Sequence, residues 1–382
     1  MPASPQAKRA LRFVLVMGVV NLFADMTYEG SRGVNGAFLG HLGASGAAIG
    51  VVAGGGELAG YAIRWFSGRI ADRTGRYWLE AWVGYAINLL CVPALALAGS
   101  WPAAAGLIVG ERVGRGIRKP VISAVISEAG REIGGGHAFG INQALDQIGA
   151  TAGPLIVAYA IVRGGYTAGF GILLVPALLT LACLVFAHLA GAGLVPRPRL
   201  AHEEEEPMLR DERAFRRYAI GGALVAAGYA DFALIAFRFA RDHVAGVAAI
   251  SVWFAVAMAV GAVAAPVLGR AYDRVGKPAV GVALALGAAA TPMAFLGTGA
   301  IAKAGAALWG LGTAVQDALL LALVATVLSQ RKRASGFGLY GLIVGVAWFA
   351  GSAVSGVLLD RSIVGLVLFS TLLQLAAIPF FL

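Results

Sequence analysis

Charged residues are scarce in this chain of 382 residues. Asp, Glu, Lys and Arg make up only 13% of it, whereas hydrophobic residues make up 59%. An ordinary soluble domain carries about 25% charged residues. Apolar runs of about 20 residues, each long enough to cross a bilayer core of about 30 Å, recur along the whole length. The composition therefore predicts a protein built almost entirely of membrane spans, with no separate soluble domain.

Other features that would indicate a different class of protein are also missing. The only two cysteines, Cys91 and Cys183, lie in apolar runs, which indicates buried thiols and no disulfide framework. No glycine-rich stretch continues into Gly-Lys-Ser or Gly-Lys-Thr, so the sequence gives no support for ATP as an energy source. No nucleophile–base pair or cluster of metal ligands emerges. We expect no enzymatic activity, no cofactor and no bound metal.

Twelve apolar runs are separated by short loops, and we predict that all of them are helices. A backbone in contact with lipid must satisfy its own hydrogen bonds, and the alternation of a β-barrel is absent. The expected fold is an all-α membrane protein with twelve transmembrane helices in two six-helix bundles. The bundles are expected at residues 1–190 and 216–382, joined by a cytoplasmic linker at 191–215 that contains the acidic run His202 to Pro207. The predicted spans are 12–38, 46–67, 79–99, 102–126, 137–161, 168–190, 216–240, 246–268, 279–300, 303–328, 334–358 and 363–381.

The net charge of +10 follows the predicted topology. With the N-terminus inside, only Arg163, Arg241, Lys303 and Arg361 fall in outer loops, and most other cations fall in inner loops. This distribution predicts a multi-pass protein of the cytoplasmic (inner) membrane with both termini in the cytoplasm. The first apolar run lacks a cleavage site and is interpreted as a retained helix. The lipid bilayer, a small solute and protons are the expected partners of a monomer, and no nucleic acid is expected.

A nine-residue pattern, G-R-x-x-D-R-x-G-[R/K], occurs at residues 68–76 and again at 269–277. Each copy follows two predicted spans of its half, which indicates two similar halves in tandem. The glycines permit a tight reversal, and the aspartates can accept hydrogen bonds from the N-terminus of a neighbouring helix. We predict that bonds of this kind hold an inner gate. The predicted gating residues are Gly68, Asp72, Arg73, Gly75, Arg76, Asp273 and Arg274, together with Gly149, Gly153 and Pro154 of the fifth span.

Ionisable side chains inside the spans are the candidates for chemistry, because each costs about 2.5–3.5 kcal/mol at the centre of a membrane helix. The first span carries a polar stripe within an arc of about 100°: Asn21, Asp25, Tyr28, Glu29 and Arg32. The fourth span gathers a charged face: Glu111, Arg112, Arg115, Arg118 and Lys119. Two interpretations stay open, a proton-coupling or ion-binding site and a purely structural ion-pair network. Arg118 and Lys119 have a third, since they could extend to the cytoplasmic surface.

The expected roles follow from this distribution. Proton coupling is assigned to Asp25, Glu29, Asp146 and Arg112. Substrate binding is assigned to Asn21, Tyr28, Arg32, Glu57, Tyr61, Arg115, Arg118, Asn142, Gln143, Asp231 and Asp317. Most of these residues belong to the first half, so the two halves differ in the number of polar residues that are candidates for function.

At these residues the chain resembles the major facilitator superfamily. The segment 68–76 is similar to that family's loop motif between the second and third helices, and 269–277 to its second copy. Residues 112–116 resemble the fourth-helix motif, an Arg followed by Gly. Residues 149–154 resemble the glycine-proline motif of proton-driven exporters, although Ile156 and Val157 replace the glycines that usually follow. The resemblance implies a secondary transporter that works by alternating access, and it leaves the direction of transport open.

A small amphipathic or cationic organic compound, exported against proton entry, is the expected cargo. Divalent metal efflux and organic anion uptake are alternatives on the same fold. A lipid scramblase or a non-transporting membrane sensor is the alternative of a different class.

Overall fold

The structure, a computed structural model, describes residues 5–191, 208–329 and 333–382. The predicted linker 191–215 lies mostly outside these residues. Helices account for nearly all of the described chain, as the sequence predicts. The α-helices are α1 (Pro5–Arg32), α2 (Asn35–His41), α3 (Gly46–Thr74), α4 (Tyr77–Ala94), α5 (Trp101–Ile133), α6 (Gly135–Gly171), α7 (Leu174–Gly191), α8 (Glu212–Gly228), α9 (Phe232–Arg241), α10 (Val247–Val275), α11 (Lys277–Ala288), α12 (Ala290–Leu296), α13 (Gly299–Ala314), α14 (Leu321–Val327), α15 (Arg333–Arg361) and α16 (Ile363–Ala377).

Twelve membrane crossings are present in the described parts of the chain. Ten helical stretches are long and apolar enough to span a bilayer. One of them, Gly135–Gly191, is 57 residues long and kinks at Gly164 and Gly165, so it supplies two crossings. The remaining crossing is α5, whose 33 residues extend about 50 Å but carry the charged face in their middle. The predicted all-α membrane fold is confirmed.

Several spans that were predicted as continuous helices are irregular. The sixth is divided between Gly171 and Leu174, and the ninth is divided at Ala289. The first ends at Arg32 and resumes as α2 after a turn. The seventh breaks between Gly228 and Phe232, where the Asp231 carboxylate caps α9 by accepting a hydrogen bond from the backbone N–H of Ala233 at 3.0 Å. The tenth contains a π-helical turn, Val315–Leu320, between α13 and α14. A charged residue lies at the irregular position of the first, seventh and tenth spans: Arg32, Asp231 and Asp317.

The chain divides by contact density into two units. Unit 1 contains residues 1–31, 62–98 and 106–202, and unit 2 contains residues 32–61, 99–105 and 203–382. The predicted division into halves at the polar linker stays a prediction, since residues 32–61 group with the later helices.

Close helix packing in unit 1 positions the polar residues. On α6, a Cβ at Gly149 or Gly153 would overlap the carbonyl oxygens of Leu22 and Met26 on α1. Between α4 and α5, a Cβ at Gly84 would lie 2.8 Å from the backbone nitrogen of Arg118. Glycines therefore allow α1 to approach α6, and α4 to approach α5, at backbone distance. The polar side chains beside these glycines are brought together as a result.

Candidate functional site

A chain of hydrogen bonds runs through the interior of unit 1. We call it the buried polar network, and its members come from four helices: Asn21 and Asp25 on α1, Tyr85 and Asn88 on α4, Arg118 on α5, and Asn142 and Asp146 on α6. Six of the seven side chains are at least nine-tenths buried, and Asn142 is half-buried. Polar groups this deep in a membrane protein are costly unless each finds a partner.

Arg118 is the centre of the buried polar network. Its side chain is only 2% exposed. Nη2 lies 3.3 Å from Oδ1 of Asp25, Nε donates to Oδ1 of Asn88 at 3.1 Å, and Nη1 donates to Oδ1 of Asn21 at 3.4 Å. The planar guanidinium is suited to such divergent contacts, because its five N–H donors point in fixed directions. The interpretation that Arg118 extends to the membrane surface is wrong.

Asn21 extends the network toward the second carboxylate. Its Oδ1 also accepts a hydrogen bond from the Tyr85 hydroxyl at 2.5 Å, and its Nδ2 donates to Oδ1 of Asn142 at 2.7 Å. Asn142 in turn donates to Oδ2 of Asp146 at 3.4 Å. Asp25 and Asp146 thus belong to one connected system, and they interact electrostatically with each other and with Arg118. Oδ1 of Asp146 is buried and accepts no hydrogen bond from any described residue.

The other predicted residues of the first half have various positions around this network. Glu29 and Tyr28 are buried on α1, and the Arg115 guanidinium lies 5.1 Å from the Tyr28 ring. Arg112 is buried and pairs with its neighbour Glu111 at 3.4 Å. Asp25 meets Arg118 rather than Arg112, which was the cation assigned to proton coupling. Gln143 is exposed on α6 and makes no hydrogen bond to the network.

Two members of the buried polar network, Tyr85 and Asn88, are missing from the predicted site. They lie three residues apart on α4, so they share one face of that helix. Asn88 is fully buried and donates to the backbone oxygen and the Oε1 of Glu111 at 3.1 and 2.9 Å. The signal for this site in the sequence is a carboxamide in the middle of an apolar span.

Three candidate residues of unit 2, Arg32, Asp231 and Asp317, interact electrostatically with the Tyr229 hydroxyl. Arg32 pairs with Glu57 at 3.5 Å, and its guanidinium lies 5.9 Å from the centre of the Trp309 ring. Asp231 is 2% exposed and serves as the cap of α9. Asp317 is exposed within the π-helical turn of the tenth span. Tyr61 packs against α15, where it lies over Gly341 and Gly345.

The comparison with known protein families is decisive for the class of this protein. The family model described as the Major Facilitator Superfamily matches residues 17–352. The chain belongs to the major facilitator superfamily. It is therefore a membrane transporter rather than an enzyme, and the resemblance inferred from the sequence motifs is confirmed.

Relatives and solved structures agree with this assignment. Uncharacterized proteins of Mycobacterium tuberculosis and Mycobacterium bovis are 35% identical to the chain, with 98% of the chain and 93% of each relative covered. A bacterial homologue of the human lysosomal transporter Spinster, in an inward-facing conformation, has a TM-score of 0.74 at 17% identity and covers 99% of this chain and 98% of its own. The nucleoside transporter NupG has a TM-score of 0.75 at 14% identity, with 97% and 100% covered. These structures share the fold.

The superfamily loop segments are only partly described. Gly75 and Gly276 have positive φ angles of 67° and 76° and end α3 and α10, which confirms the predicted tight reversals. Arg73, Arg76, Asp273 and Arg274 are exposed, and Gly68 is half-buried. No described residue donates a hydrogen bond to Asp273, and the side chain of Asp72 lies outside the described part of the structure. Pro154 continues α6 without breaking it, in contrast to the glycine pair at the kink.

Proposed function

We propose that this superfamily member is a proton-coupled secondary transporter, in which the buried polar network of unit 1 links proton binding to conformational change. The observation that supports the proposal is the ion pair between Asp25 and Arg118, held at 3.3 Å in the interior of a membrane unit. Its aspartate is connected through Asn21 and Asn142 to a second buried carboxylate, Asp146.

The chemistry of the pair explains how a proton acts. With Asp25 ionised, Arg118 is held by a charge-assisted hydrogen bond, which is stronger than a neutral one. When Asp25 takes up a proton, that attraction disappears, and the buried guanidinium keeps only neutral hydrogen-bond partners and its electrostatic interaction with Asp146. A charge that has lost its paired anion is unfavourable at this depth. Protonation therefore biases α5 and α1 toward an arrangement in which Arg118 finds another anion or water.

Asp146 gives the network a second place for a proton. One of its oxygens has a hydrogen-bond donor and the other has none among the described residues. Two carboxylates that interact electrostatically cannot both be ionised at low cost. We assign Asp25 and Asp146 to alternate proton occupancy, with Glu29 close in sequence on α1 as an auxiliary acid.

The cargo is proposed to be a small amphipathic or cationic organic solute that is exported. Buried carboxylates among apolar helices favour a cationic group on an otherwise apolar solute. The proposed location is the cytoplasmic membrane, with both termini inside and the protein acting as a monomer. A panel of organic cations, neutral amphipaths and anions, tested for thermal stabilisation of the purified protein, identifies the class. Stabilisation by anions alone would contradict the proposed cargo.

The coupling proposal predicts the phenotype of Asp25→Asn. The side chain keeps its size but can no longer bind a proton, so we expect at least about a tenfold loss of accumulation driven by a proton gradient, which corresponds to about 1.4 kcal/mol. Exchange of labelled for unlabelled solute should continue, since it needs no net proton movement. The measurement compares both modes in liposomes, with Glu128→Gln as a control that removes a carboxylate from a solvent-accessible ion pair near the C-terminal end of α5. Gradient-driven accumulation at the wild-type rate in Asp25→Asn would overturn the proposed coupling.

A further inference from the structure

The N-terminus of α3 is capped by a residue from a distant part of the chain. Oδ1 of Asp360, at the end of α15, accepts a hydrogen bond from the backbone N–H of Gly46 at 2.9 Å, and Oδ2 accepts one from Ala47 at 2.8 Å. The first N–H groups of a helix have no partner within it, and the helix dipole favours a negative charge there. Asp360 supplies both the acceptors and the charge, from 314 residues away.

In the turns of α3 that follow this cap, glycines form the contact between α3 and α15. Gly46, Gly50 and Gly54 recur every four residues and so lie on one face of α3. A Cβ at Gly50 would overlap the carbonyl oxygen of Ser352, and one at Gly356 would overlap that of Gly46. The two backbones therefore meet with almost no side chain between them.

A similar contact joins α2 to α9 beside it. A Cβ at Gly36 would overlap the carbonyl oxygen of Ala233, and one at Gly40 would lie 2.5 Å from the Phe237 ring. Helices α2 and α3 are connected by only four residues, so both contacts lie at the membrane face opposite the N-terminus, here called the far face. These contacts place residues 32–61 in unit 2 with the later helices.

We propose that Asp360 is a gating residue of the far face. Its carboxylate holds the N-terminus of α3 on α15 while this face is closed, and both hydrogen bonds break when the face opens. Glycine-mediated contact is favourable only at short distance and fixes no axial position by itself, whereas two charge-assisted hydrogen bonds are directional. Because the bonds lie where the helix ends meet water, the separated groups are solvated again, and opening is reversible.

The sequence predicts a similar interaction at the opposite face, where the loop aspartates Asp72 and Asp273 are expected to accept hydrogen bonds from the N-terminus of a neighbouring helix. The proposal rests on alternating access, which family membership provides, and it is independent of proton coupling. Its test requires neither a known substrate nor a proton gradient, so failure of one proposal leaves the other intact.

The test measures whether solvent reaches the contact between α3 and α15, here called the seam. In a background with Cys91→Ala and Cys183→Ala, the reporter Ser352→Cys is labelled with a membrane-impermeant maleimide that is added to the far side. Ser352 is fully buried, and its hydroxyl has no hydrogen-bond partner among the described residues, so this exchange loses no bond. We expect slow labelling with Asp360 present and labelling at least about tenfold faster in Asp360→Ala, because two hydrogen bonds to a charged group favour closure by this factor or more.

Matched variants separate gating from a general loss of packing. Asp360→Asn, which keeps acceptor oxygen but loses the charge, should give an intermediate rate. Asp242→Ala, which removes an acid whose ion pairs among the described residues are with Arg238 and Arg241, should leave the rate unchanged. A second buried reporter away from the seam, Ser370→Cys on α16, should stay unlabelled in Asp360→Ala. An unchanged rate at Ser352→Cys, or an equal increase at Ser370→Cys, would overturn the proposal.

Discussion

Arg118→Ala is expected to abolish gradient-driven transport and to destabilise the protein by about 3–5 kcal/mol, the usual cost of removing one partner of a buried ion pair. The variant leaves Asp25 buried without its cation and removes a donor from each of Asn21 and Asn88. Thermal unfolding in detergent measures the stability, and solute accumulation in liposomes measures transport.

A double variant distinguishes the two roles of this arginine. In Arg118→Met with Asp25→Asn, the two charges of the pair are removed together, so most of the lost stability should return. Transport should stay absent, because neither the proton acceptor nor the cation remains. Recovery of transport in the double variant would show that the pair is only structural. Wild-type stability of Arg118→Ala would show that Asp25 does not depend on this arginine.

The second large effect is expected for Gly149→Ala combined with Gly153→Ala on α6. Each added Cβ would overlap a backbone carbonyl of α1, at Leu22 and Met26. A side chain could relieve such an overlap by changing its rotamer, but a helix backbone cannot. Overpacking typically costs about 1–3 kcal/mol per site. Helix α6 must move away from α1, which lengthens the 2.7 Å bond between Asn21 and Asn142. We therefore expect a lower melting temperature and a loss of transport in the folded fraction.

Gly140→Ala is the matched control on the same helix. Nothing lies within 4 Å of a Cβ at Gly140, so the substitution should add only helix propensity and stabilise by about 0.5–1 kcal/mol. If Gly149→Ala with Gly153→Ala had the same stability and transport as Gly140→Ala, the result would contradict the close approach of α1 to α6.

Several features of the site were predictable because they depend on local pattern. The spacing of Asn21 and Asp25 on one helix, or of Asn142 and Asp146 on another, follows from 3.6 residues per turn. The cost of polar groups in hydrocarbon predicts that they turn inward and find partners.

Other features depended on pairings between helices that the pattern does not encode. Four cations share one face of α5, and their spacing does not say which one meets Asp25. The answer depends on the axial offset between α1 and α5. The same holds for Asn88, whose partner on α5 is 23 residues away.

The sequence by itself determined the class of this protein, its helical spans, its repeated loop segment and its family, because each of these depends on hydrophobicity and residue order along the chain. The tertiary structure decided the ion pair of Asp25 with Arg118, the breaks within individual spans and the cap that Asp360 places on α3. These depend on where helices distant in sequence cross. A shift of one helical turn between two helices changes every pairing across them while leaving each helix's own periodicity intact.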